Sequence, residues 1–157
     1  MSKFNLKTDP EYVTWPSSHY VFIEKVGPFQ QTAPAAWQEF HQSVGDLIEE
    51  LGFVAMSALY KIEPKMVYRA GAMVKTAPKD LPPGFSYEKF LGGSYAKFTY
   101  VGSYAYLGEV SGLVWDSVRK LSLPRRDDYC IENYANDPKV TPAEKLITEI
   151  LIPTTAK

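Results

Sequence analysis

"YVFIEKVGPF" (residues 20–29) lies over "YAKFTYVGSY" (residues 95–104) when the chain is slid against itself by 75 residues, and this match decides the fold. Tyr20 meets Tyr95, Val26 meets Val101, Gly27 meets Gly102 and Phe29 meets Tyr104; at the same offset Phe40 meets Trp115. Similarity at a fixed offset marks a repeated structural unit. Each stretch reads as a strand ended by glycine, the residue that takes backbone angles closed to others.

Working outward, Trp37, Phe40, Val44, Leu47 and Leu51 alternate three- and four-residue spacings, which places them on one face of one helix. Pro34 falls in its first turn and Gly52 just past its end, the expected asymmetry. In the second half Leu107, Val110, Val114, Val118 and Leu121 keep the spacing. Gly108 and Gly112 weaken that helix by nearly 1 kcal/mol each, on the order of the usual glycine cost. Strand candidates follow both helices: "FVAMSALYKI" and "MVYRAGAMV", then "DYCIENYA" and "LITEILIP". Each half therefore reads β-α-β-β.

The expected fold is α+β: one domain over residues 1–157, with duplicated units related by a pseudo-two-fold axis and at most eight strands. Repeat one covers about 19–74, a surface linker rich in Pro and Gly covers 75–93, and repeat two covers about 94–153. A central groove between the halves is the expected ligand pocket.

Composition narrows the function. Lys plus Arg number 17 against 18 Asp plus Glu, a net charge of −1, and in "RKLSLPRRDD" Arg125 and Arg126 are followed at once by Asp127 and Asp128, which cancel their field. No sequence-specific nucleic-acid binding is expected, and only 18 residues precede the first repeat, too few for a helix-turn-helix. The start "MSKFNLKTDPEY" is not an apolar signal, and no run approaches the roughly 20 apolar residues of a membrane span. The expectation is a cytoplasmic protein that engages no membrane.

His19 and His41 are not spaced with acids or cysteine as metal ligands would be, and Gly92–Gly93 lead into a strand rather than onto a helix N-terminus. Cys130, alone in the chain, reads as a packed, inert thiol. No metal or cofactor is expected. What remains is a high aromatic content, 11 Tyr, 8 Phe and 3 Trp, together with carboxylates in unusual places.

Glu149 stands in the apolar strand "TEILIP" (148–153), where a buried carboxylate costs several kcal/mol unless paired, on the order of the usual penalty. If Ile150 and Ile152 face the core, Glu149 faces the cleft. In "YCIENYA" the two-residue period puts Cys130, Glu132 and Tyr134 together and Tyr129, Ile131 and Asn133 opposite. Acid and tyrosine lining a cleft is one reading; an exposed sheet face with ordinary charges is the other.

"GSYAKFTYVGSY", a Trp-bearing helix and "DYCIENYANDPKVTPAEKLITEILIP", in that order, resemble the GyrI-like family, and "YVFIEKVGPF" and "VYRAGAMV" resemble its first repeat. The family comprises effector-binding domains of AraC-type and MerR-type regulators and stand-alone gyrase-inhibitor-like proteins. The resemblance implies two β-α-β-β units around a groove in which drug-binding members hold lipophilic cations between aromatic rings and glutamates. Matched by motif, Glu149 corresponds to the glutamate of the terminal strand and Glu132 to the acid before the tyrosine. The chain departs from the pattern at Leu151, where Tyr is common, at Arg69, where the family often has Asp, and in a longer interdomain stretch.

The implied function is a stand-alone binding protein that senses or sequesters amphipathic, cationic or aromatic small molecules. Its expected ligand residues are Glu149, Glu132, Phe29, Trp37, Tyr60, Tyr68, Tyr104, Trp115 and Tyr134. One alternative is a hydrolase of strained electrophiles, with Glu149, Glu132 and Tyr134 handling proton and water. Another is a gyrase-inhibitor-like modulator of a protein partner.

Overall fold

The computed structural model describes residues 4–156. From the N-terminal side its elements are β1 (Asn5–Leu6), β2 (Glu11–Trp15), β3 (Ser18–Val26), α1 (Phe29–Ser43), α2 (Leu47–Leu51), β4 (Phe53–Lys61) and β5 (Val67–Val74). Then come β6 (Ser86–Phe90), β7 (Gly93–Val101), a 3-10 turn (Tyr104–Tyr106), α3 (Leu107–Lys120), β8 (Cys130–Tyr134), a second 3-10 turn (Ala143–Lys145) and β9 (Ile147–Pro153). The fold is α+β, with nine strands among the described residues rather than at most eight. The chain divides into a middle unit, residues 16–92, and a terminal unit, residues 4–15 with 93–156.

The middle unit is an antiparallel sheet in the order β4-β5-β3-β6. Ile23 pairs with Ala70 and Ala70 with Ala58, so small side chains line the sheet where α1 approaches. That helix buries Thr32, Ala36 and Phe40, one residue per turn on one stripe. Lys25 ties the sheet to the helix through Glu39 at 2.8 Å.

The single helix expected from Trp37 to Leu51 is two. Ser43 ends α1, Gly45 turns the backbone at φ +51°, and α2 restarts at Leu47. The three- and four-residue spacing runs straight through the break, so periodicity alone cannot reveal it. Because α1 begins at Phe29, Pro34 lies in its second turn rather than its first. There it removes the N–H that would have met the Gln30 carbonyl.

The terminal unit centres on β7, flanked by β9 on one side and by β1 and β2 on the other, with β8 beyond β9; every one of these pairings is antiparallel. Val110, Val114 and Val118 form the buried stripe of α3. Gly108 and Gly112 face open space, so their small size serves no packing contact. Gly27 and Gly102, the glycines of the matched stretches, take φ of +134° and +156°, as the repeat reading expected of them.

Two segments outside the expected repeats, the N-terminal stretch and the linker, are built into sheets. Residues before the first repeat form β1 and β2, and they pair with β7 of the second. The linker carries β6 on the edge of β3 and buries Phe85 and Phe90, with Phe85 5.5 Å from the Phe40 ring.

Candidate ligand-binding site

The register of β8 on β9 organises the terminal unit's polar groups. Glu132 pairs with Ile150 and Tyr134 with Thr148, while Asn133 pairs with Glu149 and Ile131 with Leu151. Residues opposite each other across antiparallel strands point to the same face. Glu132 and Tyr134 therefore share a face with Thr148, Ile150 and Ile152, and Glu149 points the other way. The two acids expected to line one cleft stand on opposite faces of their sheet, because a one-residue offset in register inverts every side chain.

Glu149 has its partners in the chain. Asn133 Nδ2 donates to its Oε1 at 2.8 Å, and Lys97 Nζ lies 3.3 Å from Oε2, with Glu11 3.8 Å beyond on the same ammonium. Lys97 sits in β7 opposite Leu151, so both strands bring their charges to this face. The carboxylate is neutralised without a ligand. Arg69, the base standing where the family often has an acid, pairs with Glu24 at 2.8 Å and Glu88 at 2.7 Å, and its guanidinium lies 4.3 Å from the Phe22 ring centre.

Glu132 is in the contrasting situation. Its Oε1 accepts a short hydrogen bond, 2.6 Å, from the Tyr134 hydroxyl, and among the described residues no lysine or arginine pairs with it. Burial pushes its carboxyl above the ordinary carboxylate range, against the opposing pull of the Tyr134 bond. Tyr104, on the 3-10 turn before α3, sets its ring edge-on to Tyr134 with centroids 5.3 Å apart. Its own hydroxyl is buried without a hydrogen-bond partner among the described residues. Burial raises that phenol, and the charges of Glu132 and Asp137 raise it further. A desolvated carboxyl whose pKa is raised, beside two phenols, gains from a positive charge brought next to it.

In the middle unit four of the expected aromatics meet. Tyr60 and Tyr68 are cross-strand partners on β4 and β5, and the Phe29 ring lies 5.4 Å from the first and 5.6 Å from the second. Trp37 Nε1 donates to the Tyr68 hydroxyl at 2.8 Å. Tyr60 and Tyr68 are buried, and Phe29 and Trp37 are half-buried. Trp115 belongs to neither group. It borders a shallow depression of about 650 Å³ on α3, and the Arg125 guanidinium lies 4.5 Å from its ring centre. That Arg125 gives Trp115 a cation of the chain's own.

Sequence reasoning missed Lys97 and Thr148, and it placed Asn133 on a strand face without giving it a partner. Lys97 sits among the aromatics of "YAKFTY", and only the β7–β9 register aligns it with Glu149's strand. Thr148, fully buried, carries a hydroxyl without a partner among the described residues, on Glu132's face. Its signal was a polar residue inside an otherwise apolar strand, eclipsed by the neighbouring glutamate.

The family described as GyrI-like small molecule binding domain matches residues 8–155. No protein of curated function matches the sequence. Among solved structures, SAV2435 bound to tetraphenylphosphonium is 18% identical, with 94% of each chain covered and a TM-score of 0.72. The C-terminal domain of EcmrR is 12% identical, covering 99% of this chain and 100% of that one, with a TM-score of 0.77. A hydrolase from Listeria innocua is 12% identical over 95% of this chain and 93% of that one, with a TM-score of 0.57. At these identities the likeness is one of fold.

Proposed function

Since the chain belongs to the GyrI-like small molecule binding domain family, we propose that it binds amphipathic aromatic cations, as a sensor or sequestering protein, with Glu132 as the charge partner. The observation that carries this reading is the state of Glu132: desolvated, held by one tyrosine and lacking a basic partner among the described residues. A bound cation supplies the missing charge. The Tyr104 and Tyr134 rings offer cation–π faces worth about 0.5 to 2 kcal/mol each. Within the middle unit, Phe29, Tyr60, Tyr68 and Trp37 form an aromatic cluster of their own. Glu149, neutralised by Lys97, has no such need.

The fold neighbour solved with tetraphenylphosphonium makes that ion the first probe. Titration calorimetry with tetraphenylphosphonium and with neutral triphenylphosphine oxide should give measurable binding of the cation and weaker binding of the neutral compound. Equal affinity for the two would remove the charge-matching role of Glu132.

The hydrolase reading draws on the same carboxyl together with the Tyr104 hydroxyl, which lacks a hydrogen-bond partner among the described residues. Glu132, once ionised, would take a proton from water as that water opens a strained ring, and Tyr104 would donate one to the leaving oxygen. Incubation with styrene oxide in ¹⁸O-water tests it: labelled diol above the uncatalysed rate is the expected product, and its absence would end this reading.

A further inference from the structure

Resting on Glu132 as the charge partner, we propose that this site selects cations bearing N–H groups, primary or secondary ammonium or amidinium, over quaternary cations, with Tyr104 and Thr148 as the selecting residues. Two buried hydroxyls, Tyr104 Oη and Thr148 Oγ1, lack hydrogen-bond partners among the described residues. Both residues adjoin Tyr134: Thr148 is its cross-strand partner, and the Tyr104 ring packs edge-on against it with centroids 5.3 Å apart. Tyr134 in turn donates to Glu132 at 2.6 Å. One carboxylate and two residues with unmet hydroxyls thus border a single ring.

Tyr100, the partner of Thr148 on the β7 side, does not relieve this group. Its hydroxyl donates to the Ser103 carbonyl at 2.8 Å. Orphaned buried hydroxyls are rare in folded proteins, and each asks for an explanation.

A quaternary cation satisfies the charge of Glu132 and the ring faces, but it has no proton to give and leaves both hydroxyls unmet. An ammonium or amidinium donates to the carboxylate and to the hydroxyl oxygens together. Leaving a buried polar group unsatisfied is what gives hydrogen-bonding sites their large discrimination against analogues lacking the group. Neither hydroxyl touches solvent, so a ligand that reaches them must displace a covering side chain. Tyr104 stands on a three-residue 3-10 turn outside the sheet ladders, where a side-chain rotation breaks no strand pairing.

The test is titration calorimetry of the full chain at pH 8 with 1-naphthylmethylammonium and with its N,N,N-trimethyl counterpart. The primary ammonium should bind about tenfold more tightly or better, the scale of one charge-assisted hydrogen bond. Tyr104→Phe should bring the ratio of the two affinities toward one, and Thr148→Val should do the same while Thr148→Ser keeps it. If Thr148→Val fails to fold, Tyr104→Phe carries the test alone. Binding of both cations with equal affinity to the unmodified chain would overturn the selectivity and leave the Glu132 reading standing. An unchanged ratio in Tyr104→Phe would also overturn it. Binding of neither cation would sink both.

Discussion

Glu132 and Glu149, seventeen residues apart in sequence, occupy opposite faces of one sheet, because Glu132 pairs with Ile150 while Glu149 pairs with Asn133. Their chemistry diverges with their direction. Glu149 meets Lys97 and Asn133, whereas Glu132 meets a tyrosine hydroxyl and the desolvation that raises its carboxyl.

The Lys97–Glu149 pair should behave as a modest structural ion pair. Both side chains keep about a fifth of their surface exposed, 21% and 22%. Solvent therefore screens them, and a double-mutant cycle with Lys97→Met and Glu149→Gln should give a coupling on the order of 1 kcal/mol. A coupling of about 3 kcal/mol or more, the scale on the order of a fully buried pair, would mean that this face is far drier than the structure indicates.

Stability should carry the mark of Glu132. Its folded carboxyl is held above the usual value of about 4.3, so the folded chain retains a proton at pH values where the unfolded chain has released it. The contribution is therefore full below the ordinary carboxylate pKa and is lost as pH rises through the raised one. Denaturant midpoints of the unmodified chain, compared with Glu132→Gln, should show the advantage of Glu132 shrinking across that window. A difference that grew with pH would contradict the assignment.

Tyr134→Phe removes the hydrogen bond that, among the described residues, favours the ionised form of Glu132. The carboxyl should then titrate at still higher pH, observed as an upward shift in the ¹³C carboxyl resonance midpoint of Glu132. A downward shift would show that the tyrosine bond stabilises the protonated form instead.

How much of this could be read from the sequence follows from what each signal depends on. The strand stretches at 20–29 and 95–104 were legible, because alternation ended by glycine is a local property, and both became strands. The split between α1 and α2 was not, since Gly45 and Asp46 interrupt the backbone while the apolar spacing continues across them. Strands β2 and β6 carry polar, exposed residues and owe their existence to partners far along the chain. The acids of the terminal unit were legible as residues of interest, but their faces were not. Face depends on the register between β8 and β9, a non-local quantity that no spacing within either strand encodes. The same holds for Lys97, whose approach to Glu149 requires β7 and β9 to be aligned.

Trp37→Phe tests the middle unit's cluster. The change keeps most of the ring but deletes the 2.8 Å bond to the Tyr68 hydroxyl. A loss of about 1 kcal/mol in unfolding free energy is expected, with some added cost from the smaller ring. A neutral result in equilibrium denaturation would mean that solvent replaces the bond at no cost.

The measurement that bears most directly on the account is a paired calorimetric titration of one aromatic cation, a styrylpyridinium dye, into Glu132→Gln and Glu149→Gln. Both changes keep side-chain shape and remove one negative charge. Glu132→Gln should weaken binding by about 2 to 5 kcal/mol, the usual cost of removing one partner of a desolvated charge pair, and Glu149→Gln should leave it nearly unchanged. Loss of binding in Glu149→Gln with full binding in Glu132→Gln would contradict the account, placing the ligand on the face of Lys97 and Asn133.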